Sequence, residues 1–279
     1  MHPVSKPVIA VSNKVFPAVE QLLGYCGRHQ LGGIDYTMNT KAMSVSDIQA
    51  DKASIETILA AGLDIRYHLQ FYGMEVADAD LKRAKAALAF HKQCLDVVAQ
   101  YQGRFATLHI GLGLKSIEQI SYETALSHLE DLVAYAKERR IVLCLENLTK
   151  GFTNHPDRFL TMIVSTGAAA TFDLGHANAS PWVLEGRGTS VDFLRMIAPH
   201  VMNAHVYEVE KIDPATDIPY HVAPQNLDKI EPLLRGLLGT RCDWWLIELP
   251  DLDDVNHSRQ LLQSFLMDTE SEPIDRGEP

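Results

Sequence analysis

The chain has 279 residues, is 46% hydrophobic and carries a formal net charge of -11. That length can bury a large core in one domain, and an acidic balance does not steer the chain by its overall field to nucleic acid or to an anionic membrane. The apolar stretches are strand-sized, the start "MHPVSKPVIAVSNKVF" has no signal-peptide apolar region, and Cys26, Cys94, Cys144 and Cys242 are scattered without a C-x-x-C. The expectation is a cytoplasmic protein with no membrane span, disulfide framework or zinc finger.

In chain order, "PVIAVS" (7–12) reads as a strand and "AVEQLLGYCGRH" (18–29) as a helix. "GGIDYT" (32–37) is a second strand, followed by a helix over 46–61. "LDIRYHLQ" (63–70) is a third strand, with a long helix over 78–101. "RFATLHIG" (104–111) precedes a helix over 117–139, and "IVLCLEN" (141–147) one over 156–166. "AAATFDLG" (168–175) leads to a helix over 190–197, and "VMNAHVYE" (201–208) to one over 226–238. "DWWLIELP" (243–250) and a helix over 254–267 close the series.

Short apolar, β-branched runs alternating with amphipathic helices describe a parallel sheet with helices outside. Eight such units in one chain predict a single (β/α)8 barrel, α/β in class, over residues 1–267. An open doubly wound sheet is the alternative, but the first strand-to-helix turn, "SNKVFP", has no G-x-G-x-x-G. Residues 268–279, "DTESEPIDRGEP", read as a flexible acidic tail.

A barrel builds its active face at the C-terminal ends of its strands. There the third to eighth strands carry His68, His109, Glu146, Asp173, His205 and Glu248, and the second carries Asp35. Carboxylates and imidazoles converging on one point repel or desolvate one another unless a cation sits among them. A mixed nitrogen and oxygen donor set suits Mn, Co, Fe or Zn, with Mg less natural beside histidine. Aromatic residues Tyr36, Phe71, Tyr72, Trp182 and Tyr207 follow strand ends and are candidates to wall a sugar ring, Trp182 foremost. Arg187 in "EGRGT" and Lys150 in "LTKG" are candidates to bind an anionic substrate group but read first as solvated turn residues, and Cys144 reads as core.

On "LENLT", "FDLGHAN", "NAHVYE" and "IELP" the chain resembles the xylose isomerase-like TIM barrels, over nearly its whole length. These include sugar epimerases related to tagatose 3-epimerase, inositol-catabolism proteins and endonuclease IV. The resemblance to the epimerases implies one divalent metal on Glu146, Asp173, His205 and Glu248. It also implies Glu146 and Glu248 as acid and base, and His176 as a substrate contact. His68, His109 and His221 are further candidates to touch substrate. The expected reaction is isomerisation or epimerisation of a sugar or sugar-like polyol or keto substrate by metal-assisted proton transfer. The resemblance also suggests a homo-oligomer.

Two alternatives stay open. The first is a multi-zinc phosphodiesterase like endonuclease IV, in which residues matching His68, His109 and His176 are ligands. That enzyme also has a D-x-H pair after the seventh strand. Here the loop "EVEKIDPATDIPYHVAPQN" offers Asp217 and His221, four apart rather than two. The second is a metal-dependent lyase or dehydratase on a sugar-like acid, which needs the same proton abstraction.

Overall fold

In a computed structural model the described residues are 6–39, 41, 44–49 and 51–271. The parallel strands are β1 (Val8–Ser12), β2 (Gly33–Thr37), β3 (Asp64–Leu69), β4 (Phe105–Leu108), β5 (Val142–Glu146), β6 (Ala169–Asp173) and β7 (Val201–Val206). After β7 comes an antiparallel hairpin of β8 (Val209–Ile212) and β9 (Pro219–Val222), and the last barrel strand is β10 (Trp244–Ile247). The barrel closes in the order β1-β10-β7-β6-β5-β4-β3-β2, so the expected (β/α)8 barrel is the fold.

The helices are α1 (Val19–His29), α2 (Val45–Gln49), α3 (Lys52–Ala60), α4 (Leu81–Gln100), α5 (Tyr122–Glu138) and α6 (Pro156–Thr166). They continue with α7 (Leu174–Asn178), α8 (Pro181–Leu184), α9 (Ser190–Ile197), α10 (Glu231–Leu238) and α11 (Leu252–Ser271). None among the described residues is long and apolar enough to cross a membrane. Their starts follow local chemistry: the Asp80 carboxylate accepts from Lys82 N and Arg83 N to open α4, and Ser121 accepts from Thr124 N to open α5.

The sequence reading differs from the structure in particular places. The single helix expected over 46–61 is the pair α2 and α3. The helix expected from 226 starts at Glu231, because Pro232 fits only the first turn. The stretch after β7, read as a loop, forms the β8–β9 hairpin, with prolines at 214 and 219 masking its alternation. Helix α11 continues to Ser271, into the expected tail; residues 272–279 lie outside the described residues.

Most of the core lies between barrel and helices, but part of the barrel's own filling is hydrogen-bonded rather than aliphatic. The Thr107 and Thr171 hydroxyls meet at 2.8 Å, and Asn203 Nδ2 donates to Thr171 Oγ1 at 3.1 Å. Arg66 donates to Asn203 Oδ1 and, at 2.9 Å, to Met202 O. Its other arm reaches Asp243 at 2.5 Å, and its guanidinium covers the rings of Phe105 and Trp244. Each of Arg66, Thr107, Thr171 and Asn203 stands two residues before a polar strand-end residue, so side-chain alternation puts this layer directly beneath them. Trp245 faces outward to Phe265 of α11, while Trp244 donates its indole N–H to Asp35, as expected of one Trp on each side of the strand.

Candidate metal centre and active site

The six strand-end residues meet at the C-terminal mouth. Glu146 is the hub and is only 1% exposed. Its Oε2 lies 3.0 Å from His109 Nε2, 3.3 Å from His205 Nδ1 and 3.5 Å from His68 Nε2. His205 Nδ1 is in turn 2.9 Å from Glu248 Oε2 and 3.7 Å from Asp173 Oδ2. One ligand-capable atom from each of Glu146, Asp173, His205 and Glu248 lies within 4.8 Å of the others.

These contacts are close without being satisfied. Glu146 Oε2, Asp173 Oδ2, Glu248 Oε2 and both ring nitrogens of His205 are buried and lack an aligned hydrogen-bond partner. Buried polar atoms are normally paired, so such a group is unusual. A divalent cation fits it: the orphaned atoms are the hard oxygen and imidazole donors such an ion takes.

The same crowding sets the charge states. Burial favours a neutral Glu146, but His205 and His109 hold its pKa well below the usual carboxylate value. Glu248 is likewise lowered, burial being outweighed by His205. Burial opposes charge on His205, yet Glu146 and Glu248 raise it well above its ordinary value. His68, between Asp35 and Glu146, is raised to about 9 against its burial, whereas burial wins at His109 and lowers it. At His205 and His68 the balance thus favours the protonated ring, whose positive charge offsets the buried carboxylates.

Asp173 is held from two sides. Asn147 Nδ2 donates to Asp173 O at 2.9 Å, and Asp173 N donates back to Asn147 Oδ1 at 2.8 Å. Asp173 Oδ1 accepts from His176 N at 2.6 Å, capping α7 and leaving Oδ2 for the centre. This cap explains the D-x-x-H spacing, because the turn that Asp173 starts carries His176 back over the site. His176 Nδ1 faces the Asn147 carbonyl at 2.9 Å; a carbonyl only accepts, so Nδ1 bears hydrogen. Nε2 then faces Glu210 Oε2 at 3.2 Å. His221 likewise donates from Nδ1 to Glu248 O at 2.7 Å. Glu210 and His221 face each other across the hairpin, so β8–β9 brings a carboxylate and an imidazole onto His176.

Gly175 makes this approach feasible. A Cβ there would lie 1.9 Å from the Tyr207 ring, which stacks on His221 with centroids 3.9 Å apart. Gly175→Ala should therefore destabilise the fold by about 3 kcal/mol, the cost of overpacking a rigid aromatic contact. Urea unfolding would check this, and a loss under about 0.5 kcal/mol would contradict it.

Of the residues expected to touch substrate, His68 and His109 lie inside the ring against Glu146, and His176 and His221 gather around Glu210. Trp182 instead packs edge-on to His155, and the indole lies where a side chain on Gly188 would go. Tyr36 and Phe71 are buried in the core, while Tyr72 is 57% exposed, with its ring close to Gly113. Arg187 is exposed and pairs with Glu185, and Cys144 is core, both as expected. Asp217 sits in the exposed turn of the hairpin; the carboxylate beside His221 is Glu210. Sequence reasoning passed over Glu210 and Asn147. The alternation of "VEKI" against "PYHV" is the signal for the first, and the second adjoins Glu146.

A family model described as xylose isomerase-like TIM barrel matches residues 30–255. An uncharacterised protein of Methanocaldococcus jannaschii is 30% identical over 196 residues, covering 70% of this chain and 79% of that protein. Among solved structures, L-ribulose 3-epimerase superposes with a TM-score of 0.70 at 16% identity, covering 98% of this chain and 100% of the other. A D-tagatose 3-epimerase-like protein gives 0.69 at 17% identity, covering 94% and 98%. A xylose isomerase-like protein from Mycobacterium smegmatis, in complex with magnesium, gives 0.64 at 15% identity, covering 96% and 99%.

Proposed function

Since the chain belongs to the xylose isomerase-like TIM-barrel family, we propose that it is a divalent-metal-dependent isomerase or epimerase acting on a sugar-like polyol or keto substrate. The observation that carries this reading is the set of unpaired, buried donor atoms on Glu146, Asp173, His205 and Glu248, within 4.8 Å of one another. These four residues would hold the ion. When bound, it supplies Lewis acidity that makes the C–H beside a carbonyl easier to deprotonate.

The remaining chemistry belongs to the chain. Glu146 and Glu248 are both held ionised in the free site, so either can act as the base that removes the proton from carbon; the acid that returns a proton is then that newly protonated carboxyl or, for inversion, the other glutamate once it has taken a proton from solvent. Glu146 stands on the floor and Glu248 nearer the opening, with its side chain 19% exposed. His176, fixed by Asn147 and paired through Nε2 with Glu210, holds that carboxylate toward a substrate hydroxyl, and His221, fixed through Nδ1, offers its other nitrogen from the hairpin. His68 and His109 flank the ionised Glu146 where it meets the substrate.

A second reading, a multi-metal phosphodiesterase, rests on one observation. His68, His109 and Glu146, and separately His176, Glu210 and His221, are also grouped closely enough for ions. A screen of the manganese-loaded protein on ketoses, aldoses, inositols, sugar acids and abasic-site DNA tests both. Interconversion of a ketose or inositol is expected. Cleavage of the DNA without sugar turnover reverses the order of the two readings, and water loss from a sugar acid alone favours a lyase.

A further inference from the structure

A cavity of about 290 Å³ lies at the N-terminal end of the barrel, opposite the metal centre. Ile141 and Leu143 at the start of β5 and Met202 at the start of β7 give it apolar walls. Two fixed positive charges and an imidazole line the same hollow: Lys137 from the last turn of α5, Arg241 ahead of β10, and His200 just before β7. No carboxylate lines it. Among the described residues none of the three is ion-paired or hydrogen-bonded through its side chain. Arg139, two residues on from Lys137, is by contrast engaged by Asp96 and Glu138. In a chain of net charge -11 this hollow is a local reversal of sign.

We infer that this cavity binds a small amphiphilic anion, a short apolar chain that ends in a carboxylate or a phosphate. A cleft with low-dielectric walls and charge of one sign concentrates counter-ions. The walls then take up the apolar chain, which is driven out of water. An inorganic anion forgoes the walls, and a neutral chain forgoes the cations. A cation in the last turn of a helix also offsets the helix dipole, but that role calls for no apolar hollow beside it. The site is separate from the metal centre, which stands at the other end of the same strands, about 16 Å away for a strand of five residues. It does not depend on the reaction proposed there.

The test is titration of the full chain with hexanoate and with hexyl phosphate, followed by ligand-observed NMR, once with manganese and once with chelator. Hexanol and inorganic phosphate are the controls. At least one of the two anions should bind in both conditions, about tenfold more tightly than either control, the combined effect of two exposed ion pairs. The tighter of the two identifies the head group. Lengthening butanoate to hexanoate should tighten binding by up to about fourfold per methylene. R241Q and K137Q should each weaken the anion by about three- to fivefold and leave hexanol unchanged, while R241K retains most of the affinity. Lys137 is on an exposed helical turn, so K137Q carries the test if R241Q disturbs the fold. Binding of neither anion, or equal binding of hexanol or inorganic phosphate, overturns the inference. So does binding that requires manganese, which would put the anion on the metal. Affinity unmoved in both glutamine variants, with lowered melting temperatures, also overturns it and leaves the cations to the helix ends.

Discussion

Glu248→Gln is expected to lower kcat by about a thousandfold at saturating manganese, the scale of losing a positioned acid or base. Its melting temperature should stay close to that of the parent protein. The side chain sits at the opening and has one close histidine, His205, so an amide of equal shape disturbs few neighbours. Glu146→Gln should be as damaging to turnover and more damaging to the fold. Its Oε2 faces His109, His205 and His68 within 3.5 Å, and an amide N–H₂ there would meet nitrogens rather than balance them. Leaving such a buried cluster unpaired costs about 3 kcal/mol or more. Initial rates on whichever sugar the screen identifies, beside thermal melts, separate the two effects. Full activity in both variants would sink the proton-transfer mechanism.

Stripping the protein of metal is expected to lower its melting temperature by roughly 10 °C. A ligand held at a thousand times its dissociation constant stabilises the fold by about 4 kcal/mol. In a domain of this size each kcal/mol shifts the midpoint by about 2–4 °C. The size of the effect should depend on pH in a definite direction. His68, raised to about 9, and His205 and His176, raised well above their ordinary value, stabilise the metal-free fold through their protons. That contribution is complete below about pH 6.5, where the unfolded chain also binds the proton, and is lost as pH rises through the folded pKa values. A bound ion replaces the proton on His205 and neutralises the carboxylates that hold protons on His68 and His176, which weakens the dependence. Melts with and without chelator should therefore diverge steadily from pH 6 to pH 9. Coincident melts across that range would mean that no ion is held here.

The ring was legible because a closed barrel converts a list of strand ends into neighbours. His68, His109, Glu146, Asp173, His205 and Glu248 are each separated by a whole strand–helix unit in sequence. Knowing the fold brings them together without knowing any loop. The family resemblance rests on the same segments and is met by the match over residues 30–255. What escaped lies where alternation is hidden or where one end of an interaction is backbone. Glu210 is in a hairpin whose prolines look like loop, and its significance depends on the register that sets it opposite His221. Asn147 works by pairing with the Asp173 main chain, which leaves no trace in composition. His68 and His109, candidates to touch substrate, stand against Glu146 inside the ring.

The hydrogen-bonded layer inside the barrel restricts how this active site can diverge. An oily layer tolerates one hydrophobe traded for another of similar volume. Here a single Thr171→Val would take from the Asn203 amide its nearer acceptor and from the Thr107 hydroxyl its partner, and a single Asn203→Leu would leave Arg66 with only Met202 O and Asp243. The layer can change only by several substitutions at once. The loops above it are free to vary one residue at a time. Descendants of this chain should thus acquire new substrates by rewriting the hairpin and loops, while the floor passes through unaltered.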